Sequence, residues 1–166
     1  MKRKTGLSVF LALAVALLTA LVPVAGLAEG NKTYFTGEEC EVASLDPGVW
    51  TELGNGKFRV EGVQVLFWDQ TSDPRTTGDA YVTFSAVLDL NTGSGPMWGT
   101  WEIVNDQGSW FGHVVGRLDN WVSSAHGVAH GSGAYAGLVG YWNYNRPGPW
   151  ACFTIDGYVV ETGAGE

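Results

Sequence analysis

Between Gly127 and Gly140 the chain reads G-V-A-H-G-S-G-A-Y-A-G-L-V-G, with glycine at five of the fourteen positions. Glycine weakens a helix and gives a strand nothing to pack. So high a density marks a place where backbone turns sharply or passes close to another wall. On either side, short aromatic and β-branched runs alternate with polar residues and stop at turn residues. The pattern predicts one continuous antiparallel sheet that bends sharply at these glycines, closed into a small all-β barrel. A flexible glycine-rich loop is the alternative for the stretch itself.

The strands can be read from alternation. Residues 80–90 are the clearest, with Ala80, Val82, Phe84, Ala86, Leu88 and Leu90 on one face. In residues 57–68 the apolar parity changes, from Phe58 and Val60 to Val63, Val65 and Phe67, which predicts a β-bulge at Gly62. Residues 46–48 and 53–56 read as turns, and 69–78 as a polar loop without periodicity. Residues 97–104 and 109–118 form a hairpin in which Gly108 is expected to supply a positive φ. Residues 121–130, 139–145 and 151–160 complete the set. If Asp119-Asn120 is a turn the barrel has eight strands, and if it is the middle of a bent strand, seven. Every connection is short enough for an up-and-down meander, whose closure removes both exposed edges.

The N-terminus carries Lys2, Arg3 and Lys4, then an apolar run from Leu7 to Val22 and small residues ending at Ala28. This reads as a cleaved secretory signal peptide (1–28) ahead of a single barrel domain (29–166). A retained membrane anchor is the alternative, and either places the remainder outside the cytoplasm. Removing the three cations lowers the formal net charge of −8 by three, to −11, which makes nucleic acid and anionic lipid poor partners. No stable membrane insertion is expected after cleavage.

Export also bears on the two cysteines. Cys40 shares a strand face with Thr36 and Glu38, and Cys152 with Thr154 and Asp156. Both lie on the polar side of the first and last strands. A disulfide across that seam is expected in an oxidising compartment, with two free thiols as the alternative.

The pattern G-x-G-x-Y-x-G-L-x-G at Gly131, Gly133, Tyr135, Gly137, Leu138 and Gly140 resembles the barrels of the allene oxide cyclase and dirigent type. The resemblance covers roughly the second half of the mature chain. It implies a small antiparallel barrel whose apolar cavity shapes a reactive or lipid-like ligand, with Tyr135 and Leu138 plugging one end. None of that group's catalytic residues maps onto this chain.

No cofactor, metal or nucleophile signature stands out. His126 and His130, with His113 as a third, would lie about 13 Å apart on a strand at a spacing of four, too far for one metal ion. Asp69, Asp73 and Asp79 fit no calcium loop. Glu52, Glu61 and Glu102 cannot be paired into a glycosidase dyad. The excess is aromatic, with eight tryptophans. Small residues share faces with that bulk, which predicts a barrel roomy on one side and a small apolar ligand within it. The expected lining is Phe84, Ala86, Leu88, Trp110, Gly112, Val114, Ser123, Ala125 and Phe153. Binding is the favoured reading, with a metal-free cyclase or isomerase as the alternative. Catalysis would call on a polar group at the inner end, for which His113, His126, Glu102 and Tyr135 are candidates. A different reading makes Tyr141, Trp142, Tyr144, Arg146 and Trp150 an exposed platform for stacking a glycan.

Overall fold

The computed structural model describes residues 31–162, and the expected signal peptide and its cleavage point lie outside them. Nine strands follow one another: β1 (Thr33–Asp46), β2 (Val49–Gly54), β3 (Lys57–Thr71), β4 (Gly78–Asp89), β5 (Gly95–Asn105), β6 (Gly108–Asp119), β7 (Val122–Gly133), β8 (Leu138–Arg146) and β9 (Phe153–Glu161). All neighbours are antiparallel, in the order β1-β9-β8-β7-β6-β5-β4-β3, and a second pairing of β1 with β3 closes the ring. The barrel therefore has eight strands. The ninth, β2, pairs only with the first half of β3 and extends the β1 side of that hairpin beyond the ring. It lies largely between the two turns read from sequence at 46–48 and 53–56, where too few alternating positions separate Gly48 from Gly54 to signal a strand.

Three local expectations resolve clearly. The bulge is present, with the β3–β4 register shifting between Val60 and Val63 and Gly62 at φ +71°. The β6–β7 connection is a two-residue turn, but one residue later than Asp119-Asn120. Asp119 pairs with Val122, and the turn residues are Asn120 and Trp121, at φ +51° and +63°. Gly108 does not have a positive φ; it is a paired strand residue opposite Asn105, and a Cβ there would collide with the Ser132 carbonyl.

The glycine-dense stretch is not one bend. It is the end of β7, a turn, and the start of β8. Its glycines make room for aromatic rings inside the ring of strands. A Cβ on Gly127 would lie 2.8 Å from Trp101 Nε1, and one on Gly140 would collide with the Trp142 ring. Gly133 and Gly137 supply the left-handed turn geometry.

One end of the barrel is filled. Tyr135 stacks on Trp110 with centroids 5.4 Å apart and an interplanar angle of 16°. Trp110 in turn meets Trp142 edge to face, and Trp142 meets Trp101 at 4.7 Å. Leu138 packs against the same core. The polar loop after β3 is ordered over this end: β3 runs on to Thr71, and a 3-10 turn at Pro74–Thr76 buries Thr76. The Trp110 indole donates to the Arg75 carbonyl at 2.7 Å, and the Tyr135 hydroxyl donates to Asn105 Oδ1 at 2.7 Å.

The disulfide joins Cys40 of β1 to Cys152, immediately before β9, with Cα atoms 4.5 Å apart. Both side chains lie on the outer face, at the end of the β1–β9 seam where Glu39 pairs with Phe153.

Candidate functional site

Above the aromatic plug the barrel holds a cavity of about 290 Å³. Its walls are Val65 and Phe67 of β3, Val82, Phe84, Ala86 and Leu88 of β4, Met97 and Trp101 of β5, and Val114 and Leu118 of β6. Ser123, Ala125, Tyr144, Arg146 and Phe153 continue the lining round to β9, and Glu39 and Glu41 complete it from β1. Trp121 and Pro149, both solvent-exposed, also border it, so the mouth lies between the β6–β7 turn and the β8–β9 connection.

Seven of the nine interior positions expected from sequence border this space: Phe84, Ala86, Leu88, Val114, Ser123, Ala125 and Phe153. Trp110 and Gly112 do not. Both face inward but belong to the filled end, where Trp110 has no exposed surface and Gly112 is closed over by Ala129. Alternation identifies the face of a strand residue but not its height in the barrel, and height separates plug from cavity.

The polar candidates are not at the inner end of the cavity. His113, His126 and His130 point outward and are exposed, and Glu102 lies on the outer face between Tyr81 and Phe111. Tyr135 is buried in the plug. No three His, Cys, Asp or Glu side chains cluster as a metal site among the described residues.

The glycan platform is divided by strand alternation. Tyr141 and Trp150 are exposed, but Trp142 and Tyr144 face inward with 1% and 5% of their surface accessible, and half-buried Arg146 lines the cavity. The outer aromatic row is a different one. Tyr141, Tyr158 and Tyr34 lie opposite one another on β8, β9 and β1, with centroids 4.7 and 5.7 Å apart.

The chemistry at the cavity wall comes from two carboxyls that the sequence reading does not bring together, Asp69 being weighed there only as a calcium ligand. Glu39 on β1 and Asp69 on β3 are direct cross-strand partners on the inner face. Glu39 is 5% exposed and borders the cavity, whereas Asp69 is fully buried. Neither Asp69 oxygen has a hydrogen-bond partner other than the Glu39 carboxyl. Two ionised carboxylates offer each other no donor, so the pair is satisfied only when one of them holds a proton or a cation is supplied. Burial above all, and then the neighbouring Asp69, hold Glu39 well above the usual carboxylate range, with Arg146 opposing. Burial likewise pushes Asp69 up to about 7, and the two titrate as a unit. Tyr144, across the cavity wall, has its phenol held well above its ordinary range by burial and by both carboxylates.

Arg146 is the cation nearest this pair on the cavity wall, and much of its bonding is directed elsewhere. Its Nε donates to the Ala151 carbonyl at 2.6 Å, Nη2 lies 3.7 Å from Glu41 Oε2, and the guanidinium sits 5.1 Å over the Phe153 ring. Ala151 adjoins Cys152, so the disulfide also anchors the carbonyl that orients Arg146.

The signal for the dyad is present in the sequence. Phe35, Gly37 and Glu39 share the face opposite Cys40, and Asp69 continues the inward series Val63, Val65, Phe67. Reading 69–78 as a loop cut that series one residue short. Compared with known proteins, the chain matches no family model and no curated protein.

Proposed function

We propose that this is an exported ligand-binding barrel whose interior holds one small, largely apolar molecule. The observation that carries the reading is the cavity itself. At about 290 Å³ it lies at the lower end of small-ligand sites, it is walled mainly by aliphatic and aromatic side chains, and it is closed at one end and open at the other. The disulfide on the outer seam accords with an oxidising compartment, and no helix among the described residues is long and apolar enough to cross a membrane.

Native mass spectrometry of protein purified from its own host tests the reading directly, by asking whether a small molecule travels with the barrel. Ala125→Phe, which fills the cavity from β7, provides the matched control. Retention of a ligand by the wild type and its loss from a folded Ala125→Phe protein is the expected result. Equal retention by both overturns an interior site.

A second reading follows from the Glu39–Asp69 pair. A dyad that holds one proton next to an apolar mould is suited to isomerisation or cyclisation, as the resemblance to allene oxide cyclase and dirigent barrels implies. Under this reading the compound recovered from Glu39→Gln protein is the unrearranged isomer of that recovered from wild type, separable by chromatography. Identical compounds from both leave the barrel a carrier.

A further inference from the structure

We propose that the cavity selects an apolar molecule bearing a protonated amine, whose ammonium group docks against Glu39 with Asp69 behind it. The proposal rests on the cavity being a ligand site and specifies the class of ligand. Apolar walls account for the body of such a molecule. Its head is defined by the polar groups left unsatisfied. Asp69 is fully buried, points into the barrel, and has no partner for its two oxygens but the Glu39 carboxyl. Glu39, directly opposite, presents its carboxyl to the cavity and makes no ion pair within 4.0 Å among the described residues.

The charged and titratable groups around the pair decide the sign of the ligand. β1 supplies Glu39 and Glu41, β3 supplies Asp69, and β8 supplies Tyr144 and Arg146. The adjoining position of β9 is Phe153 and that of β4 is Gly78, both uncharged. Three carboxyls thus face one guanidinium, which is already bonded to Ala151 and set beside Glu41. An anionic head meets repulsion from the dyad. A neutral head leaves the dyad dependent on its own proton. An ammonium replaces that proton, bonds to charged acceptors, and lies among the rings of Trp101, Tyr144 and Phe153, where cation–π attraction adds to it.

Binding then exchanges a proton for a cation. Affinity for the ammonium rises as pH rises through the range in which the dyad deprotonates, and proton release accompanies binding below that range.

Three probes with the same carbon frame test this by calorimetry on the intact disulfide-bonded protein: cyclohexylmethylammonium, cyclohexylmethanol and cyclohexanecarboxylate. The expected result is a preference of at least about tenfold for the ammonium over the alcohol at pH about 8, the carboxylate binding weakest. That preference shrinks at pH about 6, disappears in Glu39→Gln and weakens in Asp69→Asn, with circular dichroism confirming that both fold. If alcohol and ammonium bind equally, or the preference survives in both variants, the amine assignment is wrong while the apolar site stands. Tightest binding of the carboxylate would assign the head to Arg146 and also overturn the proposal. If none of the three binds, the cavity is not a ligand site and both readings fall together.

Discussion

Glu39 and Asp69 face each other across the β1–β3 ladder, inside the barrel, at the pairing that closes the ring. Strands closing a barrel need complementary inner faces, and two buried carboxyls at that seam oppose closure whenever both are ionised. Glu39 also borders the cavity, so this structural cost falls at the cavity wall.

The cost has a sign that can be measured. In the unfolded chain both groups release their protons near pH 4, whereas in the barrel burial, above all, holds them protonated well above that, Asp69 up to about 7. The native state therefore binds more protons than the unfolded state between those values. Stability from the pair is fully present below about pH 4 and is lost as pH rises through about 7. Asp69→Asn removes the Asp69 share of the effect and part of that of Glu39: its melting temperature exceeds that of wild type at pH about 8, and the difference narrows toward pH about 4. The gain at high pH is at most about 4 kcal/mol, the full equivalent of the Asp69 shift. A variant less stable than wild type at both pH values would show that the carboxylate is satisfied in the native barrel.

Reduction of the Cys40–Cys152 bond should weaken the β1–β9 seam and loosen Arg146 together. The bond closes a span of 112 positions, for which chain entropy gives about 4–5 kcal/mol. Cys40→Ser/Cys152→Ser protein is expected to melt at lower temperature and to exchange the amide hydrogens of β9 faster than those of β6. Uniform acceleration across all strands would mean that the disulfide supports global stability without a particular role at the seam.

At the filled end, the Tyr135 ring and its hydroxyl make separable contributions. Tyr135→Phe keeps the stack on Trp110 but leaves Asn105 without that donor, for a loss of about 1 kcal/mol in chemical denaturation. Tyr135→Ala removes the ring as well, for about 3–5 kcal/mol. If the two cost the same, the stacked ring is not what closes this end.

How much of this was readable in advance depended on the kind of information each residue carried. Strand identity and facing were legible because side chains alternate with period two; Cys40 and Cys152 outward, Phe84 and Ala86 inward, and the slip at Gly62 all follow from that. Height along the barrel axis was not legible, since it depends on the register of every ladder at once, and so Trp110 and Gly112 were grouped with cavity residues that lie above them. Trp142 and Tyr144 differ for another reason: the platform reading puts Tyr141, Trp142 and Tyr144 on one surface, whereas alternation along the strand sends Trp142 and Tyr144 inward and Tyr141 outward. The dyad was hidden because carboxyls at inward positions look like the end of a strand. Glu39 and Asp69 become informative only once β1 is known to pair with β3, a contact between segments that sequence order alone does not bring together.

Trp121 offers a test of the cavity mouth that is nearly independent of fold stability. It sits at φ +63°, a conformation costly for a bulky side chain, with its backbone N–H donating to the Gly93 carbonyl at 2.9 Å and its indole against Gly93. Strain of this kind at the rim of a cavity is expected where the side chain is needed in one place. Trp121→Gly relieves about 1–2 kcal/mol of backbone strain and forfeits the packing of the ring, so the two terms oppose and the net change in stability stays within about 1 kcal/mol. Exchange of any bound molecule, followed by stopped-flow fluorescence of the remaining tryptophans, should accelerate by roughly tenfold or more in both directions, with affinity changed far less. Unchanged exchange rates in the glycine variant would place the route into the barrel elsewhere than between the β6–β7 turn and Pro149.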